Sequence, residues 1–207
     1  MDTRLMLTGV RRIHGRAVLT LSTGETLSMP RAMLKERPYR SGTPFDRDSF
    51  DAFLRERAYP FAMAKAVALL ASRARTEKEI ADALRQHAYP EQTVARVRAR
   101  QHEAGYLDDG DFAEQWAAFR ASKGLGERRI RMELRQKGVD ADTIERALSS
   151  VDEEDQMDGA LKAAQKAARG KELSQPAERQ KVLAALARRG YDYATARAAL
   201  AHLMEDE

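Results

Sequence analysis

One layout of apolar residues occurs three times in this chain of 207 residues. Each copy has two apolar residues four positions apart, then a short turn, then a threonine followed by another apolar residue. The copies begin at Ile80, Ile130 and Val182, so the offsets between them are 50 and 52 residues. A repeat of this length predicts stacked helical units, each leaving apolar surface for a neighbour to bury.

Each copy divides into three short helices. In the second copy Phe112, Trp116 and Phe119 recur at helical spacing, which predicts one apolar stripe. Gly138 is expected to end the next helix as a left-handed cap, and Ala88 stands at the corresponding turn of the first copy, which predicts a different geometry there. The opening helices of the outer copies carry the matching stripes Met63, Val67 and Leu70, and Met157, Leu161 and Ala164.

The N-terminal segment follows another pattern. Residues 4–29 are rich in β-prone residues and are interrupted at Gly15 and Gly24, which predicts a small antiparallel meander. Such a sheet is marginal alone, so it should pack on a helix that starts near Asp48. The predicted fold is mainly α. Its parts are an N-terminal β meander and linking helix (1–57) and three helical repeats (58–107, 108–151 and 152–207).

Several kinds of site are missing from the sequence. Without cysteine there is no disulfide, thiolate metal site or cysteine nucleophile. The four histidines lie far apart, and no phosphate-binding glycine loop is present. The acidic runs 108–111 and 152–155 are expected to begin helices. We therefore predict no catalytic residue, no metal and no cofactor. With no stretch of about 20 apolar residues, we expect a cytoplasmic monomer without membrane contact.

Basic residues are concentrated in the second and third copies, in a chain with a formal net charge of +4. If the copies stack, their middle helices lie side by side and form an extended anion-binding surface. The alternative is a solvated helix face, because Arg and Lys are good helix formers. No aromatic residue is interleaved with these charges, so base stacking is not indicated. The candidate contact residues are Arg120, Lys123, Arg128, Arg129, Arg131, Arg135, Lys137, Arg179, Lys181, Arg188 and Arg189.

Two other functions fit parts of the pattern. Residues 76–107 read like a winged helix-turn-helix of a transcription regulator, with residues 92–97 in the DNA-reading helix. A wing needs two strands after Leu107, whereas the stripe from Phe112 predicts a helix. A helical scaffold that binds other proteins without nucleic acid stays open as a further alternative.

The central residues resemble a known family. Leu107-Asp108-Asp109, followed by residues 126–140 (GERRIRMELRQKGVD), is similar to the central signature of the RecX family, and residues 179–191 resemble its C-terminal repeat. The likeness covers about residues 60–203. It implies three tandem three-helix repeats in a curved body without catalytic residues. It also implies binding along the RecA–single-stranded DNA filament, inhibition of the RecA ATPase, strand exchange and co-protease activities, and weak binding to single- or double-stranded DNA.

Overall fold

A computed structural model describes residues 5–205 of the chain. Within this range the fold is mainly helical, with a small antiparallel sheet at the start, as predicted. The strands are β1 (Leu7–Ile13), β2 (Arg16–Leu21) and β3 (Thr26–Pro30), and a 3-10 helix follows at Arg31–Lys35. The helices are α1 (Arg47–Ser72), α2 (Glu77–Gln86), α3 (Glu91–Glu103), α4 (Asp109–Ser122), α5 (Glu127–Gln136), α6 (Ala141–Ser149), α7 (Glu153–Ala168), α8 (Pro176–Arg188) and α9 (Tyr193–Glu205).

These elements form two compact units, one up to Asp108 and one from Asp109 onward. The first unit has a single core, in which side chains of the sheet pack with those of α1, α2 and α3. The second unit has two apolar clusters, one within α4–α6 and one within α7–α9. The described residues contain no helix that is both long and apolar enough to cross a membrane.

The sheet is a meander in the order β1-β2-β3. The turn between β1 and β2 has positive φ at both His14 (43°) and Gly15 (84°), as a tight two-residue hairpin requires. Ala17, Leu19 and Leu21 alternate along β2 and are buried, so one face of the sheet lies on the core of the unit.

Helix α1 joins the sheet to the first repeat. It runs without interruption from Arg47 to Ser72 and continues through Pro60, so the predicted boundary between residues 57 and 58 lies inside this helix. Its buried residues Phe50, Leu54, Ala58, Ala62 and Ala66 recur every four positions and form one continuous face. The linking helix and the opening helix of the repeat are therefore a single element.

The opening helices of the repeats bury mainly small residues, and of the large ones that the periodicity selects in α4 only Phe112 is buried. In α4 the buried face includes Ala113, Ala117 and Ala121, whereas Phe119 is 51% exposed. Val67 of α1 is likewise 52% exposed. The predicted stripes were therefore wrong for these two side chains. Alanine faces let helix backbones approach closely, and the larger side chains then lie at the margin of the contact.

Three equivalent turns end the middle helices of the repeats. Ala88, Gly138 and Gly190 have φ angles of 63°, 87° and 94°. In each turn the next residue donates its N–H to a carbonyl five residues earlier: Tyr89 to Leu84 (3.2 Å), Val139 to Leu134 (3.1 Å) and Tyr191 to Leu186 (3.2 Å). The expectation that the first turn would differ was wrong, because Ala88 adopts the left-handed conformation despite its Cβ atom.

We expect Ala88→Gly to stabilise the protein by about 0.5–1 kcal/mol, because the substitution removes the left-handed strain of a residue with a Cβ. Urea unfolding at equilibrium measures the change. Ala83→Gly, in the interior of α2, is the control. It should destabilise by about 1 kcal/mol, since helical glycine is entropically costly there. A loss of stability for Ala88→Gly would contradict the strain.

The described helix ends agree with the local sequence signals. Thr76 and Glu79 form the predicted capping box at the start of α2. The acidic runs coincide with the starts of α4 and α7, where carboxylates favour the helix dipole. Because α4 begins at Asp109, a helix stands where a winged helix-turn-helix needs its first wing strand.

Candidate anion-binding groove

The groove in the second unit is created where the end of α8 meets the start of α5. Gly126 donates its N–H to the Arg189 carbonyl (3.0 Å), and Arg128 donates its N–H to the Gly190 carbonyl (3.1 Å). A Cβ atom on Gly126 would lie 2.5 Å from the Gly190 carbonyl carbon, so only glycine permits this approach. The two helices meet end to start, and the expectation of side-by-side packing was wrong for this pair.

This junction gathers five of the predicted cations around one open groove of about 500 Å³. Its lining comes from the end of α4, the start of α5 and the end of α8. The lining residues are Arg120, Lys123, Leu125, Arg129, Arg188 and Arg189. No carboxylate is among them, so the groove has the charge and shape to receive an anionic group.

Glu133 holds two of the arginines that line the groove, Arg120 and Arg129. Its carboxylate accepts two hydrogen bonds from Arg120, at 2.8 Å and 2.7 Å, and one from Trp116 Nε1 at 3.2 Å. Arg129 Nε lies 3.4 Å from the same carboxylate. Burial opposes the charged form of Glu133, but the hydrogen bonds and charge of Arg120 outweigh it and hold the pKa of Glu133 below its ordinary value of 4.5.

We expect Glu133→Gln to destabilise the protein by about 1–3 kcal/mol at neutral pH, because Arg120 loses its charged acceptor. A carboxylate whose pKa is lowered by folding stabilises the protein above pH 4.5, and this contribution is lost as the pH falls through the folded-state pKa. The difference in the free energy of unfolding between Glu133→Gln and the native chain should therefore become smaller in acid. Urea unfolding at neutral pH and well below pH 4.5 measures it.

Glu114→Gln is the control, since Glu114 is an exposed residue of α4. It should change the free energy of unfolding little at either pH. An equal loss of stability for Glu133→Gln at both pH values would contradict the ionised hydrogen-bonded pair.

The remaining cations of the groove differ in how they are held. Arg189 donates from Nη1 to the Gly124 carbonyl (3.0 Å), so it also ties α8 to the end of α4. Lys123 and Arg188 are exposed, and within residues 5–205 neither has an ion pair. These two side chains are the ones free to meet an external anion.

The outer side of α4 combines aromatic rings with cations. Lys137 Nζ lies 4.3 Å from the centre of the Trp116 ring, and Lys123 Nζ lies 5.4 Å from that of Phe119. Phe112 stacks on Trp116 with a centroid distance of 5.8 Å. Lys137, at the end of α5, thus contacts a ring of α4, and Lys123 contacts a ring of the helix that it follows.

The other predicted cations lie outside the groove. Arg131 is held by Glu145 through two hydrogen bonds, of 2.8 Å and 2.9 Å, and with Arg128 it lines a separate cleft of about 80 Å³. Arg135 is exposed near the end of α5. At the start of α8, Arg179 donates to the Leu173 and Ser174 carbonyls, and Lys181 pairs with Glu178 at 2.6 Å. The structure thus concentrates part of the basic set and spreads the rest.

Among the residues that the structure describes, no cluster of three or more His, Asp or Glu side chains could hold a metal ion. His87 Nδ1 lies 2.8 Å from the Ala83 carbonyl, and His102 Nδ1 lies 3.0 Å from a Glu77 carboxylate oxygen.

Fold and groove together define a protein of three-helix repeats with a cationic surface. Models of the first, second and third three-helix domains of RecX match residues 62–100, 108–148 and 153–200, in that order and over more than half of the chain. The chain belongs to the RecX family.

Similar proteins include the regulatory protein RecX of Mycolicibacterium vanbaalenii, which is 37% identical over 63% of this chain and 76% of that protein. RecX of Thermobifida fusca is 38% identical over 66% of this chain and 75% of its own. A crystal structure of a regulatory protein RecX covers 98% of this chain and 100% of its own with a TM-score of 0.64 and 23% identity. That of RecX from Lactobacillus salivarius has the same TM-score, 21% identity, and covers 70% of this chain and 96% of its own.

Proposed function

We propose that this chain binds the RecA filament on single-stranded DNA and restrains it. On this proposal it inhibits the ATPase, strand-exchange and co-protease activities of RecA and thereby modulates recombination and the SOS response. It acts as a cytoplasmic monomer, with a regulatory and not a catalytic role. Membership of a family whose members are named regulatory proteins supports the proposal. The observation that carries it is the groove, where five cations converge without a lining carboxylate.

A nucleoprotein filament suits such a groove because it repeats the same anionic surface along its length. Lys123 and Arg188 are free to contact a phosphate or carboxylate, while Arg120 and Arg189 are already held by protein groups. Cationic surfaces on one chain reinforce each other through effective concentration when they meet neighbouring protomers. Binding across protomers would favour one filament state and oppose the movement that ATP turnover needs.

The ATPase rate of RecA tests the proposal directly. Filaments are assembled first on poly-dT, with DNA in excess, and the chain is then titrated in. We expect the rate to fall at or below one chain per RecA protomer. An unrelated basic protein of similar net charge should have no effect over the same range, which separates inhibition from simple sequestration of DNA. An unchanged rate across the titration would overturn the proposal.

Direct DNA binding supplies a second readout. Binding to single- or double-stranded DNA should be weak and should fall steeply with salt, because it rests on phosphate contacts. A sequence-specific footprint on duplex DNA at physiological salt would instead favour a transcription regulator. Salt-insensitive binding to an unrelated protein would favour a helical scaffold.

A further inference from the structure

The hairpin end of the N-terminal sheet carries a second cluster of cations, in a part of the chain that none of the three RecX domain models matches. Arg11 and Arg12 lie near the end of β1, Arg16 begins β2, and Arg31 directly follows β3. We call these four residues the arginine hairpin. All four side chains are exposed.

None of the four arginines in the hairpin is neutralised by a carboxylate, whereas just over half of the other arginines described in the first unit are. Six of them form ion pairs with carboxylates: Arg47, Arg57, Arg73, Arg85, Arg98 and Arg100. Within residues 5–205 no carboxylate forms an ion pair with any arginine of the hairpin. Glu25 is the one acidic residue between positions 5 and 35, and it lies at the opposite end of β2, paired with Arg47 at 2.7 Å.

The backbone holds Arg11 and Arg16 on one face of the sheet, whereas Arg12 pairs with Ala17 and lies on the other face, where its side chain is exposed near the end of β1. Arg11 pairs with Val18 and Ile13 pairs with Arg16, so Arg11 and Arg16 are diagonal neighbours on the sheet face opposite the buried Ala17 and Leu19. Diagonal neighbours lie roughly 7–8 Å apart.

The end of β3 is hydrogen-bonded to the turn between β1 and β2. Arg31 donates its N–H to the Gly15 carbonyl at 2.9 Å, which fixes the end of β3 beside the hairpin. Gly15 in turn lies against the His87 ring, since a Cβ atom on Gly15 would be 3.3 Å from His87 Cγ and closer still to other atoms of that ring. The hairpin therefore rests on the first repeat, which fixes the position of its turn.

The surroundings favour nucleic-acid phosphates over a protein surface. Protein interfaces have an apolar centre, but the first large apolar side chain that is exposed along the described residues is Val67, well beyond the sheet. On the outer face Ser28 lies in the same row as Arg11, across Val18, and Thr20 and Thr26 follow toward the other end of the strands. Guanidinium and hydroxyl groups are the side chains that contact DNA phosphates without reading sequence.

We propose that the arginine hairpin is a phosphate-binding site for DNA, separate from the groove in the second unit. It binds the sugar–phosphate backbone without sequence preference, and Arg11, Arg12 and Arg16 each contribute a phosphate contact. The site does not require RecA. It rests on the direct DNA binding of the proposed function and deepens it by naming the residues that make the phosphate contacts, and it can be tested with DNA alone.

Fluorescence anisotropy of labelled poly-dT and of a labelled duplex, at several salt concentrations, tests the site. The variant is the full chain with Arg11→Gln, Arg12→Gln and Arg16→Gln. We expect its affinity at low salt to fall about tenfold. The slope of log affinity against log salt should become shallower by about 2–3, because each lost phosphate contact removes about 0.7–0.9. Arg→Lys at the same three positions should restore most of the slope.

Arg40→Gln with Arg55→Gln is the control. Both residues are exposed, and Arg40 lies near the Leu7 end of β1, away from the hairpin. This control should leave the slope unchanged. If the triple variant unfolds, as judged by circular dichroism, the single variants Arg11→Gln and Arg16→Gln replace it, each with a slope change of about one.

Three results would overturn the site. One is a native chain that binds neither DNA at low salt. Another is a triple variant that keeps the native salt slope. The last is a triple variant that binds DNA as the native chain does but loses binding to DNA-free RecA, which would make the hairpin a protein-contact surface. The ATPase titration uses the native chain and measures inhibition of RecA. A negative result for DNA binding by the hairpin therefore leaves the proposed regulation of the filament untouched.

Discussion

Reversing the two free cations of the groove, Lys123→Glu with Arg188→Glu, is expected to raise the concentration needed for half-maximal inhibition of the RecA ATPase by at least about tenfold. Both side chains are exposed, and within the described residues neither has an ion pair, so the change removes attraction to an anionic filament and breaks no ion pair, losing only the contact of Lys123 with the exposed Phe119 ring. The melting temperature should change little, since exposed charges contribute little to stability.

Lys166→Glu with Arg169→Glu is the matched control for this experiment. These residues are exposed in the same unit, change the net charge equally, and do not line the groove. Arg169, like Arg188, stands at the C-terminal end of a helix, so both variants disturb a helix dipole in the same way. Equal inhibition by both double variants would show that the groove is only solvated surface.

Gly190→Ala is expected to destabilise the second unit by about 2–4 kcal/mol. Its φ of 94° is strained for a residue with a Cβ, and that atom would lie 2.6 Å from Arg129 Cβ and close to the Arg129 backbone. The junction between α8 and α5 would have to open. Because this junction brings Arg188 and Arg189 beside Arg129, inhibition of the ATPase should weaken as well.

Gly170→Ala is the control that separates the strain of a positive φ from the steric clash at the junction. Gly170 also has a positive φ, of 72°, but a Cβ there would meet nothing within 4 Å. It should therefore show only the conformational strain, about 1 kcal/mol, with no loss of inhibition. Urea unfolding and the ATPase titration on both variants make the comparison. Equal destabilisation by the two substitutions would contradict the steric role of the junction.

Much of the fold follows from local signals in the sequence. Alternating residues along β2, the capping box at Thr76 and the glycine at position 138 each determine their structure through neighbouring residues, and all three match. The turn at Ala88 could not be predicted from its residue type, because alanine lacks the conformational signal that glycine gives at positions 138 and 190. There the flanking helices impose the left-handed conformation on alanine.

The packing faces and the groove depend on partners that periodicity does not specify. Large side chains such as Phe119 dominate a hydrophobic pattern, while the contact itself uses Ala113, Ala117 and Ala121. A count of cations along α5 selects Arg128, Arg129 and Arg135 equally. Only the end-to-start junction shows that Arg129 lines the groove and that the other two do not. The close glycines Gly126 and Gly190 were the signal in the sequence that could have indicated this junction.

The uninterrupted course of α1 constrains how the chain can be shortened or recombined with its relatives. Phe50 and Leu54 occupy the same apolar core as Ile80 and Leu84, so a cut before residue 58 would remove part of the interior of the first repeat. Truncations or chimeras designed at that point should yield insoluble protein. Exchanges that keep residues 5–108 together preserve the compact first unit and carry the arginine hairpin with the helices on which it rests.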